Sequence, residues 1–567
     1  MYVVATAGHV DHGKSTLVHR LTGMWPDRLA EEQRRGLTIE LGFAWTQIDG
    51  RDIAFVDVPG HERFVATMLA GCGPMPRRNP VVFVVAATEG WMPQSEEHLA
   101  ALRALGIDDI LVVISKSDLA DPAPALAQTR AHLPDAPVAL GADLDAVRTE
   151  LRALVDRLPE PDRAADVRLW IDRSFTVRGA GTVVTGTLAA GTLRVGDELD
   201  HDGRRVVIRG LQSLGRDHGE VGAVARVAVN LRGVDHRRIG RGEALCTPGA
   251  WLAAGEIDVA LTASDGVHRE LVLHVGSAAV PVTVRPLGER AARLRLARPL
   301  PLRVGDIGVL RDPGAHRIAA GVQVLDVAPP PLRRRGAARA RAADLAGGQA
   351  PPPVLARRAA LSAMGLPEVG TRIGDWVVDP RWWAGKRTAA LEAVRAWAAD
   401  HDVAAGMPIE ALRRRLDLPD PELIAPLLED TGLRLADGLV RSPGAGLPPR
   451  VDQAVQAVEQ RLADAPFRAP EADELTAVHL GPRELAAAVR AGRLIRIADG
   501  VVLGADALQR AAQVLRTLPQ PFTVSEAKRA LGTTRRVAIP LLESTDRQGI
   551  TKRLPNGSRT VVDTGTS

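Results

Sequence analysis

Cysteine is almost absent from the 567-residue chain: Cys72 and Cys246 are the two thiols, and tyrosine occurs once. Two isolated thiols give neither a disulfide framework nor a metal-ligand spacing, which suits a reducing compartment. No run approaches the roughly 18 uninterrupted apolar residues that a membrane-spanning helix needs. The start carries no basic leader ahead of an apolar stretch. The expectation is a soluble, cytoplasmic protein without a membrane partner. Aromatic residues make up 3% of the chain and the formal net charge is +4. That charge is too mild for the whole surface to bind nucleic acid. The abundance of Ala, Arg and Pro reads as compositional bias and carries no function. A chain of this length holds several domains, on the order of four to six.

Chemistry is concentrated in a few motifs. GHVDHGKS, from Gly8 to Ser15, has the form G-x4-G-K-S, between an apolar strand (MYVVATAG) and a helix closed by Gly23. Such a turn points several backbone N–H groups at one place, so it cradles phosphates at a helix start. Lys14 then reaches the β- and γ-phosphates, and the Ser15 hydroxyl ligates magnesium. The nucleotide-binding set is Gly8, His9, Val10, Asp11, His12, Gly13, Lys14, Ser15 and Thr16, with His9 and His12 read as packing or hydrogen-bonding residues. Leu41–Ile48 and Arg51–Val56 form a hairpin through Asp49-Gly50, a pair that favours a tight primed turn. It delivers DVPG, in which Asp57 holds magnesium and Gly60 offers its N–H to the γ-phosphate. After the apolar run Ile110–Ile114 comes SKSD. There Asp118 can accept from the guanine N1 and N2 groups and the Lys116 stem can lie along the base, with Ser115 opening the motif. Alternating strands and helices give a mostly parallel sheet with the site at the strand carboxyl ends.

From Val167 to Asp326 short alternating strands and Gly-rich turns predict two small β-barrels, divided near Thr247–Trp251. His236, His268 and His274 read there as exposed strand or loop residues. Pro- and Gly-rich breaks at 159–166, 328–353, 441–450 and 465–471 mark boundaries or surface turns. Beyond Pro353, an amphipathic helix followed by two short strands recurs from Leu423, Leu485 and Val537, the pattern of a winged helix. Trp376, Trp382, Trp383 and Trp397 read as packing residues. Between Phe522 and Thr560 eight bases face three acids, a local net charge of +5. The bases are Lys528, Arg529, Arg535, Arg536, Arg547, Lys552, Arg553 and Arg559. Placed at a helix start and in a wing, they can clamp the phosphates of an RNA hairpin.

The fold expected is multidomain. An α/β phosphate-loop GTPase domain (1–160) precedes β-barrels at 166–248 and 249–328. Winged helices follow at 332–387, 388–446, 450–506 and 507–567, the last binding RNA.

GHVDHGKS, RGLTIELGF, DVPGHERF and PQSEEH (Pro93–His98) resemble the translational GTPases. The narrower resemblance is to the selenocysteine-specific elongation factors. It is carried by LWIDRSFTVRGAGTVVTGT at 169–187, AVARVAVNLRGV at 223–234 and the C-terminal extension. The resemblance implies GTP/GDP and Mg2+ as cofactors, with Ser15, Thr38 and Asp57 around the metal. It implies that His61 orders the attacking water, that Lys14 and Thr38 complete the catalytic set, and that Val10 and Leu37 form an apolar gate over His61. Asp172, Arg173 and Arg226 match a pocket in which two guanidinium groups face one another and favour a selenolate over a neutral serine hydroxyl. The partners implied are selenocysteinyl-tRNA, the selenocysteine insertion mRNA hairpin and the ribosome. DNA and membrane are excluded, and the chain acts as a monomer.

Two features depart from the family. Ser115 stands where Asn is usual, leaving one contact to water or a neighbouring loop. The guanine-side loop is replaced by 136–151, around Ala139 and Leu140. Two other readings stay open at this stage: a general translational GTPase for another aminoacyl-tRNA, and a non-catalytic RNA-tethering protein. The joint presence of Lys14, Ser15, Thr38, Asp57 and His61 argues against the second.

Overall fold

The computed structural model describes the chain except residues 27–37, 39, 62–63, 74–78, 180, 263–265, 401–405, 443–446, 448 and 563–567. It divides into two compact units, Met1–Val377 and Val378–Ser567.

The first unit opens with β1 (Tyr2–Ala7), α1 (Lys14–Thr22), β2 (Gly42–Ile48), β3 (Arg51–Asp57), α2 (Val65–Cys72) and β4 (Val81–Ala86). It continues with α3 (Pro93–Ala104), β5 (Ile110–Ser115), α4 (Ala123–His132), β6 (Val138–Leu140) and α5 (Leu144–Asp156). The sheet order is β2-β3-β1-β4-β5-β6, parallel except for the β2–β3 hairpin. Helices cover both faces, so β4 and β5 are buried at every position and their sequences are unbroken apolar runs ending in Ala86 and Ser115. Asp49 and Gly50 both have positive φ, 47° and 77°, as a primed turn requires. The phosphate loop leaves the carboxyl end of β1 through Gly8. A Cβ on Gly8 would lie 2.2 Å from the Val84 carbonyl oxygen, so only glycine lets the loop rest on β4.

The next region comprises β7 (Arg168–Val177), β8 (Gly181–Leu188), β9 (Thr192–Arg194), β10 (Glu198–His201) and β11 (Arg204–Ser213). It ends with β12 (Arg216–His218), β13 (Glu220–Gly222), β14 (Ala225–Arg232) and β15 (Ala244–Cys246). Seven of these strands form a sheet in the order β10-β15-β7-β8-β14-β11-β12, and β10 also pairs with β11. The following six are β16 (Leu252–Thr262), β17 (Glu270–Val275), β18 (Ala278–Pro286), β19 (Ala291–Leu302), β20 (Ile307–Asp312) and β21 (Arg317–Asp326). They close into a barrel in the order β16-β19-β18-β17-β20-β21. Alternate residues of β18 (Val280, Val282, Val284) point into its core.

The proline-rich break after Ala328 is partly ordered as α6 (Ala337–Leu345). Leu345 packs on Leu287, Ala291 and Leu325 of the barrel. Arg341 Nε donates to Asp258 Oδ2 at 2.7 Å, and Arg293 Nε donates to Asp258 Oδ1 at 2.7 Å. All three side chains are buried, and Asp326 supplies the second negative charge through Arg341. A buried pair of this kind adds little net stability, but losing one partner strands the other at about 3–5 kcal/mol. The unit ends with β22 (Leu355–Arg357), α7 (Arg358–Met364), β23 (Thr371–Ile373) and β24 (Trp376–Val378), in the sheet order β22-β24-β23. The expected segment 332–387 straddles the division at Val377.

The second unit repeats helices and a two- or three-stranded wing. Its first group is α8 (Pro380–Asp400), β25 (Met407–Pro408), α9 (Ile409–Arg415), α10 (Ile424–Leu428), β26 (Arg434–Ala436) and β27 (Leu439–Arg441). Its second is α11 (Pro449–Asp464), α12 (Ala472–Ala477), α13 (Pro482–Arg490), β28 (Leu494–Ala498) and β29 (Val501–Gly504). Its third is α14 (Ala507–Arg516), α15 (Val524–Ala530), α16 (Arg535–Arg547), β30 (Thr551–Arg553) and β31 (Arg559–Val561). The second and third groups share one apolar core, in which Val455, Val458, Leu494, Leu515 and Leu541 belong together. Among the described residues no helix is long and apolar enough to cross a membrane.

Candidate nucleotide site and its neighbours

Helix α1 begins at Lys14 behind Gly13, whose φ of 81° no other residue adopts cheaply, and no side chain caps it. An uncapped helix start of this kind suits an anion. Lys14 Nζ donates to the carbonyls of Gly8 (3.2 Å) and His9 (2.7 Å). Ser15 Oγ donates to Asp57 Oδ2 at 2.7 Å and lies 3.1 Å from Thr38 Oγ1. Three oxygen donors from three separate segments thus meet at one point. This hard-oxygen set fits Mg2+, which binds through few protein ligands and takes the rest from water and phosphate. Thr6 at the end of β1, missed in the sequence reading, steadies the carboxylate: its Oγ1 donates to Asp57 Oδ1 at 2.7 Å. The only signal for it was a hydroxyl at the strand's carboxyl end. Thr16 and Asp11 are exposed.

A Cβ on Gly60 would fall 2.4 Å from Lys14 Nζ and 2.6 Å from Val10 N, so DVPG ends where the backbone lies against the loop. His61 follows, half-buried, its ring 6.0 Å from Phe64. Val10 is half-buried on the loop, while its expected gate partner Leu37 lies outside the described residues. His12 is buried with Nδ1 3.3 Å from the Val84 oxygen, and burial pushes its pKa down to about 4. His9 is held below its usual range by burial as well. Two further residues touch the loop from α3: Gln94 and His98 accept the N–H groups of Val10 and Gly8, at 3.2 and 3.1 Å. Both stand in PQSEEH, but nothing in that string told which side chains would face the loop.

On the base side, Ser115 Oγ donates to the His12 carbonyl at 2.6 Å. Ser115 thus makes a buried tie to the phosphate loop. Lys116, with φ 53°, reaches Glu89 at 2.9 Å, and Asp118 is exposed. The guanine-side loop also differs from expectation. Ala139 and Leu140 belong to β6, and the residues folding over SKSD are Gly141 and Ala142. Ala142 N–H donates to Ser117 Oγ (3.3 Å) and Gly141 N–H to the Ile114 carbonyl (2.7 Å). The short strand β6 moved the loop two residues onward, a shift no turn residue announced.

A cavity of about 520 Å³ opens between Glu40–Leu41 and the β7 region, lined by Asp172, Arg173, His236, Arg237, Arg238 and Arg241 among others. Arg173 donates to the Leu41 carbonyl at 2.9 Å and pairs with Glu40 at 3.1 Å. Arg226 departs from its expected place opposite Arg173. It does not line this cavity, because its guanidinium is bound to the buried Asp172 carboxylate and to Thr187 Oγ1 at 2.9 Å. Both guanidinium groups stack on Phe43, at 4.0 Å for Arg226 and 5.5 Å for Arg173. The wall's positive charge is completed by Arg237, Arg238 and Arg241, which the sequence reading passed over. Burial lowers the Arg241 pKa. The histidine expectation fails for one of three: His236 is exposed, on a turn that lines the cavity, but His274 is buried in β17, its pKa lowered to about 4 by burial and then by Arg311 and Arg241. His268 is exposed and bonded to Asp312 at 2.9 Å.

In the tail, Arg535 and Arg536 open α16, Lys528 and Arg529 close α15, and Lys552 and Arg553 lie on β30, all exposed. Arg536 pairs with Glu471 at 2.8 Å and Arg547 donates to Ser544 Oγ at 3.0 Å. Arg559 departs from the expected phosphate-binding set. It is buried and bonded to Asp546 at 2.8 Å, so it braces the wing and is no phosphate ligand.

The elongation factor Tu GTP-binding domain family matches residues 1–155, and the winged-helix family of elongation factor SelB matches residues 513–559. The chain is 38% identical to the selenocysteine-specific elongation factor of Desulfomicrobium baculatum over 59% of this chain and 56% of that one. It superposes on a crystal structure of bacterial selenocysteine-specific elongation factor EF-Sec with a TM-score of 0.74, covering 99% of both chains at 23% identity, a likeness of fold. The selenocysteine-specific elongation factor of Escherichia coli (strain K12) matches at 31% identity over 98% of each chain. That end-to-end match, with a phosphate loop whose oxygen donors converge as a GTPase needs, shows that this chain belongs to the selenocysteine-specific elongation factors of the translational GTPase superfamily.

Proposed function

We propose that this chain binds selenocysteinyl-tRNA with GTP and delivers it to a ribosome halted at UGA, while its last winged helix grips the mRNA hairpin that marks the codon. The end-to-end match to a selenocysteine-specific factor carries the reading. GTP and Mg2+ are its cofactors, and GTP hydrolysis to GDP and phosphate is its reaction. Ribosomes place it in the cytoplasm.

Water attack on GTP calls for positioning and charge stabilisation more than for strong base chemistry. Lys14 leaves the Gly8 and His9 carbonyls for the β- and γ-phosphates, and the α1 amides take the same charge. Ser15, Thr38 and Asp57 hold Mg2+, which neutralises phosphate charge when bound. His61 aligns the water once the apolar side chains of Val10 and Leu37 let it in. Asp118 reads the guanine edge, Lys116 covers the ring, and Gly141–Ala142 close the far side.

The β7–β15 sheet is read as a second barrel, because β10 pairs with both β15 and β11. At its rim the cavity takes the aminoacyl end. Arg173 faces the selenolate, and Asp172 cancels Arg226, so anion preference rests on Arg173 and the arginines of the opposite wall. A serine hydroxyl would leave those donors poorly paired. Titrating selenocysteinyl-tRNA against seryl-tRNA on the same tRNA body, in the GTP state, tests the reading. A marked preference for the first is expected, and equal affinity overturns it.

A further inference from the structure

Helix α3 touches the phosphate loop with one face and the closed barrel with another. Gln94 and His98 are four residues apart and so share a face. His98 Nδ1 accepts the Gly8 N–H at 3.1 Å and Gln94 Oε1 accepts the Val10 N–H at 3.2 Å. Lys14 holds the carbonyl of the same Gly8. The first turn of the loop is thus pinned by protein groups before any phosphate arrives.

His98 is completely buried, and its Nε2 has no hydrogen-bond partner among the described residues. Burial, then the nearby Lys14 and His9, push its pKa to about 3. The ring is therefore neutral, with the Nδ1 lone pair free to accept and the proton on Nε2. A buried donor without a partner is destabilising. A leucine would fill the space without that cost, but could not accept from Gly8.

The pinned turn is also the surface against which the catalytic strand-end lies. Gly60, next to His61, packs so closely that an added Cβ would sit 2.6 Å from Val10 N and 2.9 Å from the His9 carbonyl carbon. Any shift of the turn displaces Gly60, and with it His61. On the opposite side, Glu97 of α3 faces Arg311 of β20 at 4.0 Å, both largely buried. Gly321 of β21 lies so close to Ala104 that a Cβ would come within 2.6 Å of its oxygen. The helix is wedged between barrel and loop.

We propose that Gln94 and His98 are positioning residues for GTP hydrolysis, fixing the Gly8–Val10 turn on which His61 closes, and that α3 relays the seating of the barrel to that turn. This rests on the roles of Val10 and His61 given above. Misplacement by an ångström far from the chemistry costs up to about a hundredfold in rate, so the effect belongs in turnover and not in nucleotide affinity.

The test uses the full chain with selenocysteinyl-tRNA and programmed ribosomes, measuring single-turnover GTP hydrolysis, with GTP affinity read from a fluorescent analogue. Gln94→Ala and His98→Ala should each lower stimulated hydrolysis about tenfold or more while changing GTP affinity less than about threefold. His98→Asn, which returns an acceptor near the Nδ1 position, should regain most of the rate. Arg311→Ala should lower the rate in the same direction. Unchanged hydrolysis in the alanine variants overturns the proposal, as does an equal loss of rate and affinity, or an asparagine variant no better than alanine. Should His98→Ala not fold, the half-buried Gln94 carries the decision alone. Wild-type chain that shows no ribosome-stimulated hydrolysis would instead overturn the functional reading beneath it.

Discussion

Ser115 Oγ donates to the carbonyl of His12 at 2.6 Å, so the SKSD segment after β5 and the phosphate loop are tied by a serine where asparagine is usual. Ser115→Ala should remove a buried hydrogen bond and strand the carbonyl. The loss is about 1–2 kcal/mol, or some tenfold in affinity for both GTP and GDP. Guanine should still be preferred over adenine, because Asp118 is untouched; equal displacement of labelled GTP by ATP would contradict this. Ser115→Asn should tighten binding little, since the tie it would restore already exists and the position is buried.

His61→Ala should leave binding of GTP and of aminoacyl-tRNA near normal and remove most ribosome-stimulated hydrolysis. Single-turnover hydrolysis on ribosomes checks it, and an unchanged rate would take His61 out of the mechanism.

Arg173 and Arg226 should respond differently. Arg173→Ala should weaken selenocysteinyl-tRNA binding and barely alter the seryl form, with the selectivity falling as pH is lowered and the selenol protonates. Arg226→Ala strands the buried Asp172 carboxylate, a cost of about 3–5 kcal/mol. It should lower thermal stability and weaken both tRNAs alike. Asp172→Asn with Arg226→Met should recover much of the stability. Identical selectivity losses in the two single variants would contradict the ion pair seen here.

Acid should destabilise the first unit before its carboxylates titrate. His12, His98 and His274 have folded pKa values lowered to about 4, 3 and 4 from an ordinary 6.5. A lowered folded pKa means the unfolded chain binds protons first. The stability is therefore fully present above pH 6.5 and drains away as pH falls toward 4. The first melting transition should drop steadily through that window. His274→Leu, far from the nucleotide loop, should flatten the slope, and a pH profile identical to wild type would rule out its burial as a cause.

The hairpin grip should be separable from the rest only with its neighbour attached. Residues from about 447 to the end should fold and bind the hairpin, with affinity falling as salt rises. A fragment beginning near Leu515 should lose stability, because Leu515 and Leu541 share a core with Val455. Arg535→Glu should abolish binding in the longer fragment without unfolding it, and Arg559→Ala should unfold the wing. Hairpin binding unaffected by Arg535→Glu would move the interface elsewhere.

The elements that position the phosphates were legible because local chemistry dictates them. Gly8 and Gly60 mark close backbone approaches, Gly13 a positive φ, Asp49-Gly50 makes a hairpin, and buried parallel strands are written as apolar runs. What escaped was set by partners distant in the chain. Nothing near Arg226 or Arg559 shows that Asp172 and Asp546 neutralise them, and charge counting treated both arginines as free. Residues 337–345 looked like part of a linker by composition, yet Arg341 finds Asp258 across 83 positions. Gln94 and His98 lie inside the PQSEEH motif, but helix phase alone does not tell which turn of the loop they meet.

The bare start of α1 has a practical side. Gly13 supplies no side-chain cap, which with glycine at that position costs the helix about a few tenths of a kcal/mol. Phosphate bound there does what a serine or aspartate does elsewhere, so the guanine nucleotide is a structural ingredient as well as a fuel. At a hundred times its Kd, a ligand raises stability by about 2.7 kcal/mol. Protein stripped of nucleotide during purification should therefore spoil sooner on the shelf, and GDP in the storage buffer should preserve it.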